Sequence, residues 1–295
     1  MKRLVMVVLG VGLLAMACAK SGASSLGPAP TGTGPSPTLT PPVNPSGAPS
    51  VTPAPNGRKL TFEVWLTKGG KLFVTKRTEP FDVAVGKLSL EALQRGPSAS
   101  ELGAGVATEV PPPLQPAGGQ PGDFIGASIA IASLAGGNAL VNVQPPWPVL
   151  QQGTPAARLA MAQIVYTLTQ YSTISRVTFR GDTNLYSRAA FDDLLPAILV
   201  EGPVIGQRIS NPVTVSGTAN VFEATVSLRI LDGNGKTVAN TFTTATCGTG
   251  CRGDYSVSVP YSVDRVQMGI VEVYESSAKD GSAINVVDIP VTLTP

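Results

Sequence analysis

The sequence predicts two folded bodies in series, a small α/β layer domain followed by an all-β sandwich. Three observations carry this. Between Arg58 and Pro196, strand-like alternation of apolar residues is interleaved with two stretches of helical period. From Ala197 to Pro295 only the alternation remains. The segment before both is almost entirely Pro, Ser, Thr, Gly and Ala, a composition that cannot bury a core.

The chain opens with Lys2 and Arg3, an apolar run, and Leu13-Leu14-Ala15-Met16-Ala17-Cys18. Charge, then apolar residues, then small residues before a cysteine is how a bacterial lipoprotein signal reads, with cleavage before Cys18 and a diacylglycerol on its thiol. Ala15 stands where such signals usually carry Leu. The apolar run of about 14 residues falls short of the roughly 20 that span a bilayer as a helix. The other reading is an ordinary secretory signal cut elsewhere. Residues 1–17 are therefore expected to leave, and Cys18 to hold the mature chain at the outer face of a membrane.

Residues 18–57 are expected to form a disordered tether. Between Ala19 and Asn56 there is one charge, Lys20, and no aromatic residue. Its reach lies between roughly 35 Å as a flexible coil and about 120 Å as a polyproline-like rod. Its expected job is to hold a folded body away from the lipid surface.

Composition excludes several functions. There is no histidine, so His-dependent hydrolase triads and His-ligated metal sites are ruled out. Losing Lys2 and Arg3 takes Lys plus Arg from 21 to 19, equal to the 19 Asp plus Glu. A body of zero net charge has no electrostatic footprint for DNA or RNA. No cofactor is expected.

In the first region, residues 58–196, Leu60, Phe62, Val64 and Leu66 alternate with Thr61, Glu63 and Trp65, a strand. Gly69-Gly70 turns it into a second strand, Lys71 to Lys76. A helix follows over Lys87 to Arg95, stopped by Gly96-Pro97. Ile125 to Leu134 and Ala139 to Val143 read as strands turned by Gly136-Gly137-Asn138. Thr154-Pro155 starts a helix, a capping hydroxyl followed by proline at the first helical position. Met161, Ile164, Val165 and Leu168 share one face of it, with Gln163, Thr167 and Gln170 opposite. Ser175 to Arg180 closes the region as a strand with Val177 and Phe179 on one side.

In the second region, residues 197–295, alternation recurs at Val213 and Val215, at Ala224, Val226, Leu228 and Ile230, at Tyr255, Val257 and Val259, and at Val287, Ile289, Val291 and Leu293. Asp232-Gly233-Asn234-Gly235 is a hairpin turn rich in residues that tolerate positive φ. Roughly seven short strands in about 100 residues predict an immunoglobulin-like sandwich. It lacks the Cys…Trp…Cys core of antibody domains, since Trp65 and Trp147 both lie upstream. Cys247 and Cys251, separated by Gly248-Thr249-Gly250, read as a local disulfide in an oxidising compartment. Two thiolates without histidine supply half a metal site, and the spacing is not that of a Cys-x-x-Cys redox pair.

Val64-Trp65-Leu66, Leu90-Glu91-Ala92-Leu93 closing on Arg95-Gly96-Pro97, Val110-Pro111, and Ala162 to Leu168 with Val177-Thr178-Phe179 resemble the GerMN domain of sporulation and spore-germination proteins. The resemblance implies two helices against a small sheet and a non-enzymatic place in envelope assemblies. Two features depart from the family. Pro111 to Gly122 makes a longer loop, and Asn142 stands where members often carry Asp. Ser210 to Ala219, Val221 to Ala224 and Glu275 to Ser282 resemble the immunoglobulin-like domain of bacterial spore germination, which commonly follows a GerMN domain.

Other motifs weigh less. Arg252-Gly253-Asp254 spells an integrin-binding tripeptide but sits beside the disulfide turn. Asp232-x-Asn234 begins like a calcium loop, yet Lys236 stands where a third oxygen ligand belongs. No Gly-rich phosphate cradle of the Gly-x-x-x-x-Gly-Lys-Ser/Thr type is present. The best enzyme case is a carboxylate pair, Glu223 with Glu275 or Asp280, acting on wall sugar. Carboxylates in such motifs more often cap turns or bind loop N–H groups. The sequence thus predicts a non-catalytic envelope protein that binds or scaffolds partners. Those partners are the membrane through the lipid anchor and an envelope protein or wall polymer, with self-association left open. A wall-glycan-binding module is the alternative, weakened by a chain that is only 5% aromatic.

Overall fold

The computed structural model describes residues 57–118, 123–145 and 153–295. Cys18, the signal, residues 18–56 of the tether and Trp147 lie outside them.

The first region opens on a hairpin of β1 (Lys59–Lys68) and β2 (Lys71–Pro80), paired from Lys59↔Pro80 to Lys68↔Lys71. Gly69 and Gly70 at φ 58° and 73° make the two-residue turn whose twist suits a hairpin. The chain continues through α1 (Val85–Arg95), α2 (Ala99–Gly103) and β3 (Val106–Ala107), which pairs with the end of β1. β4 (Gln115–Pro116) and β5 (Phe124–Ile125) form a short ladder. β6 (Ser128–Ala135), β7 (Asn138–Gln144) and, after α3 (Pro155–Leu168), β8 (Arg176–Phe179) make a second small sheet. β7 and β8 run parallel, which the α3 crossover permits. The predicted strand from Ile125 is broken at Gly126, whose φ of 84° and contact with the Pro112 and Pro113 carbonyls leave no room for a side chain.

Two sequence expectations need correction. Trp65 does not face solvent with Thr61 and Glu63; it is 2% exposed, its ring 4.6 Å from that of Tyr166. Of the expected polar stripe, Gln163 and Thr167 are buried too, and Gln170 is half-buried. Beyond its two-residue pairing with β3, the edge of β1 away from β2 has no partner strand among the described residues, and side chains of α3 and of Gln170 just past it supply the missing hydrogen bonds. The Gln170 amide accepts from Glu63 N–H and donates to Glu63 C=O, both at 2.8 Å. Thr167 Oγ1 accepts from Trp65 N–H at 3.1 Å, and Gln163 Nε2 donates to Trp65 C=O at 3.0 Å. A helix can cover an edge whose open groups would otherwise need water or another strand.

Helix α2 was not foreseen, although Ser98-x-x-Glu101 is a capping box and forms as one. Glu101 is buried, takes Arg77 at 2.6 Å, and also accepts from Thr75 Oγ1 and Ser98 N–H. Burial alone would raise this carboxyl. The bonds from Arg77, Thr75 and Ser98, with the Arg77 charge, prevail and hold it at about 2.

The second region is nearly all β: β9 (Ile198–Gly202), β10 (Arg208–Ile209), β11 (Val213–Ala219), β12 (Thr225–Leu231), β13 (Thr237–Thr244), β14 (Gly253–Val259), β15 (Gln267–Ser276) and β16 (Ala283–Leu293). A five-stranded sheet, β10-β16-β15-β12-β13, packs on a three-stranded one, β14-β11-β9, as an immunoglobulin-like sandwich. Val226, Leu228 and Ile230 face Val271 and Val273 and, beyond them, Ile289 and Val291 in a buried inner layer. Ala224, expected in the strand with them, instead sits at φ 56° in a 3-10 turn, Phe222–Ala224.

Both regions fall within one compact unit, Ala54–Pro295, and their buried apolar residues run into a single cluster. Within the first region the Arg188 guanidinium lies over Trp65 and Tyr166, at 5.3 and 4.9 Å from the ring centres. Lys68 Nζ crosses to the Asp288 carbonyl of the second region at 3.4 Å, while Lys71 Nζ donates within the first to the Asp193 carbonyl at 2.7 Å.

Candidate functional site

The structure brings two of the three singled-out carboxylates to one end of the sandwich, but not as a reactive pair. Glu275 is buried at the end of β15, where one oxygen accepts from Phe222 N–H at 2.9 Å and the other from Asn285 Nδ2 at 2.7 Å. Glu223 follows Phe222 in the 3-10 turn with its side chain exposed and φ at 51°. Asp280 is separate, its Oδ1 accepting from Ser282 N–H and Oγ within its own turn. The hydroxyl bond from Ser282, then that from the Ser282 N–H, holds the Asp280 carboxyl below its usual range.

The disulfide Cys247–Cys251 closes a loop that clasps the Phe222 turn, its Cα atoms 5.7 Å apart. Glu223 N–H donates to Thr249 Oγ1 at 3.0 Å, Thr249 N–H to Val221 C=O, and Gly250 N–H to Asn220 Oδ1. A Cβ at Gly248 would stand 2.4 Å from Ala224 N, so glycine is required where the two loops touch. Among the described residues the non-glycine positions with positive φ are Glu223, Ala224, Thr249 and Asn285, and all four lie in this cluster. Such conformations persist where surrounding bonds over-determine them.

The tripeptide Arg252-Gly253-Asp254 is structural. Arg252 donates to Thr218 C=O, Thr218 Oγ1 and Pro196 C=O, tying β14 to the segment that enters β9. A Cβ at Gly253 would meet Cys247 N at 2.0 Å. Asp232 Oδ1 accepts from the N–H groups of Asn234 and Lys236, which makes its loop a hairpin turn and leaves that oxygen to no cation. Among the described residues no group of three or more His, Cys, Asp or Glu converges as a metal site.

What remains available for function is surface. A shallow open cleft is lined by Thr61, Phe62, Glu63, Lys76 and Gln170. Close to Glu63, Glu201 of β9 is more than half-buried, and burial first, then the Glu63 charge, pushes its carboxyl above the usual range. The outer face of the five-stranded sheet shows large apolar side chains: Phe242 is 68% exposed, Met268 59% and Val286 46%. Sequence reading missed these three, and their signal was an apolar residue on the polar phase of its strand.

Residues 65–183 match the family model described as "Sporulation and spore germination". Residues 197–282 match that of the "Immunoglobulin-like domain of bacterial spore germination". Two spore-germination family models thus match in tandem. Their order is the order in which the sequence carries the resemblances. Among solved structures, the first GerMN domain of the sporulation protein GerM from Bacillus subtilis is similar at 20% identity, over 41% of this chain and 80% of that one, with a TM-score of 0.28. The tandem GerMN domains of the same protein are similar at 14% identity over 80% of this chain and 60% of that one, TM-score 0.31. CopC from Methylosinus trichosporium OB3b is similar at 20% identity over 32% and 87%, TM-score 0.23. No curated protein matches the chain.

Proposed function

We propose that this protein is a non-catalytic scaffold of the sporulation and germination type, working outside the cytoplasm and held at a membrane by acylated Cys18. The tandem match, residues 65–183 then 197–282, is the observation that carries the reading. The buried Glu275, the half-buried Arg252 and the self-capped Asp280 agree with it, because these three side chains, singled out for chemistry or adhesion, are occupied in holding loops. In this reading residues 58–196 and 197–295 act as two modules of one body at the end of the tether.

Crosslinking in living cells followed by pull-down tests it. Defined envelope proteins are expected; recovery of lipid alone, or of a cytosolic chain with residues 1–17 attached, overturns it. Replacing Cys18 with Ala is expected to release the chain from the membrane fraction.

A further inference from the structure

We infer that the outer face of the five-stranded sheet binds the same face of a second copy, about a twofold axis parallel to the strands and between β12 and β15. The inference rests on the scaffolding reading and names one of its contacts.

The pairing register lays the outward side chains in rows across the sheet. One row reads Phe242, Ser227, Tyr274, with Val286 beside Tyr274 at the bulge between the Val273↔Val287 and Glu275↔Ile284 pairs. The next reads Asn240, Arg229, Glu272, Asp288. The third reads Thr237, Leu231, Ile270, Pro290, apolar but for its first member. A charged row therefore runs between two apolar ones. That pattern suits neither a free surface, which would scatter its apolar groups, nor an acidic or basic partner. None of these positions is Lys, while Phe, Tyr and Arg are present, as at the centre of protein interfaces.

The charged row is what selects the occupant. Arg229 Nε lies 2.6 Å from Glu272 Oε1, the guanidinium rests 5.4 Å from the Tyr274 ring centre, and neither Nε nor Oε1 has a hydrogen bond of good geometry. A twofold axis along the strands reverses the strand order of the facing sheet and keeps each row opposite itself. Each Arg229–Glu272 pair, its Glu272 only 8% exposed, then lies against the reversed pair of the other copy, Asn240 meets Asp288, Phe242 meets Val286, and Leu231 meets Ile270. Like charges never face each other, and apolar rows meet apolar rows. This is the self-complementarity an isologous contact requires, and aligned packing of two sheets about 30° apart accommodates it.

Sedimentation equilibrium of the purified full chain in mild detergent is the test. A reversible monomer–dimer equilibrium is expected, lost in Phe242→Asp. Asn240→Lys, which sets a cation opposite Asp288 of the other copy, should tighten the dimer about two- to tenfold, and Asn240→Asp should loosen it by a similar factor. Each variant must melt like the parent, so that a lost dimer is not a lost fold. A chain that stays monomeric, or a dimer indifferent to both Asn240 variants, overturns the inference. So does binding to purified peptidoglycan that Phe242→Asp abolishes while sedimentation is unchanged, an outcome that assigns the face to a glycan. Capture of other envelope proteins in cells is independent of all these outcomes, so the scaffolding reading stands or falls separately.

Discussion

The two regions differ in where they bury polar side chains and where they gather exposed apolar ones. The α/β region turns polar side chains inward: Gln163 and Thr167 are fully buried, and Glu101 almost so. Exposed apolar residues of that region, among them Val83, Leu102, Phe124 and Leu185, lie apart in a bend, a helix, a ladder and a loop, whereas Phe242, Met268 and Val286 of the sandwich share one sheet face. Buried polar groups that are fully satisfied fix one arrangement of a body, whereas exposed apolar groups gain only when something covers them. The first region is thus held by buried polar bonds, while the sandwich gathers exposed apolar groups on one sheet face.

Variants in the first region should cost the most. Arg77→Ala leaves the Glu101 carboxylate buried without its cation and is expected to destabilise by about 3 kcal/mol in chemical denaturation. The same group sets a pH window. Its carboxyl is depressed in the fold to about 2 from an ordinary 4.5, so its contribution is whole above about 4.5 and fades as pH falls toward 2. Acid titration of the melting temperature should show that fall in the parent and less of it in Arg77→Ala. Gln163→Leu strands Trp65 C=O and Glu109 N–H, which the Gln163 amide serves at 3.0 and 2.9 Å. About 2 kcal/mol is expected from those unmade bonds. If that variant melts like the parent, α3 does not seal the β1 edge and the contrast between the regions fails.

The clasp at the sandwich end comes next. Replacing Cys247 and Cys251 with Ser opens a short loop, for which chain entropy gives about 2 kcal/mol. Faster amide exchange at residues 220–224 should accompany it, because Thr249 and Asn220 then lose their fixed spacing. Glu201→Gln carries the opposite sign. Burial and Glu63 disfavour the Glu201 carboxylate, so the variant should melt higher at neutral pH, with the gain vanishing as acid protonates Glu201 in the parent. Smallest of all is Phe242→Ser, expected to change stability by under about 0.5 kcal/mol because the ring touches solvent. A large loss there would mean that sheet face is part of the core.

Much of this was legible beforehand, for physical reasons. Two-residue alternation and paired glycines located β1, β2 and their turn, because side-chain period and turn conformation are local properties. The Thr154 cap was legible for the same reason, and the structure shows its hydroxyl accepting from Ala157 N–H at 3.1 Å. Trp65 and the α3 stripe were misread because a helical face of Gln and Thr looks solvated until a strand edge is known to lie against it. That information is held by residues about a hundred positions away. The exposed face of the sandwich was hidden similarly: Phe242 among threonines joins Tyr274 only through the register of β12.

The hairpin that opens the folded body also decides how the body answers a pull. If tension arrives from the N-terminal side along β1, it meets ten cross-strand pairs side by side, from Lys59↔Pro80 to Lys68↔Lys71. Loaded in shear, those bonds must give way together rather than unzip in turn. Gln170, Thr167 and Gln163 clamp the opposite edge of the same strand. Pulled from that side, the strand would hold and the fold behind it would keep its shape.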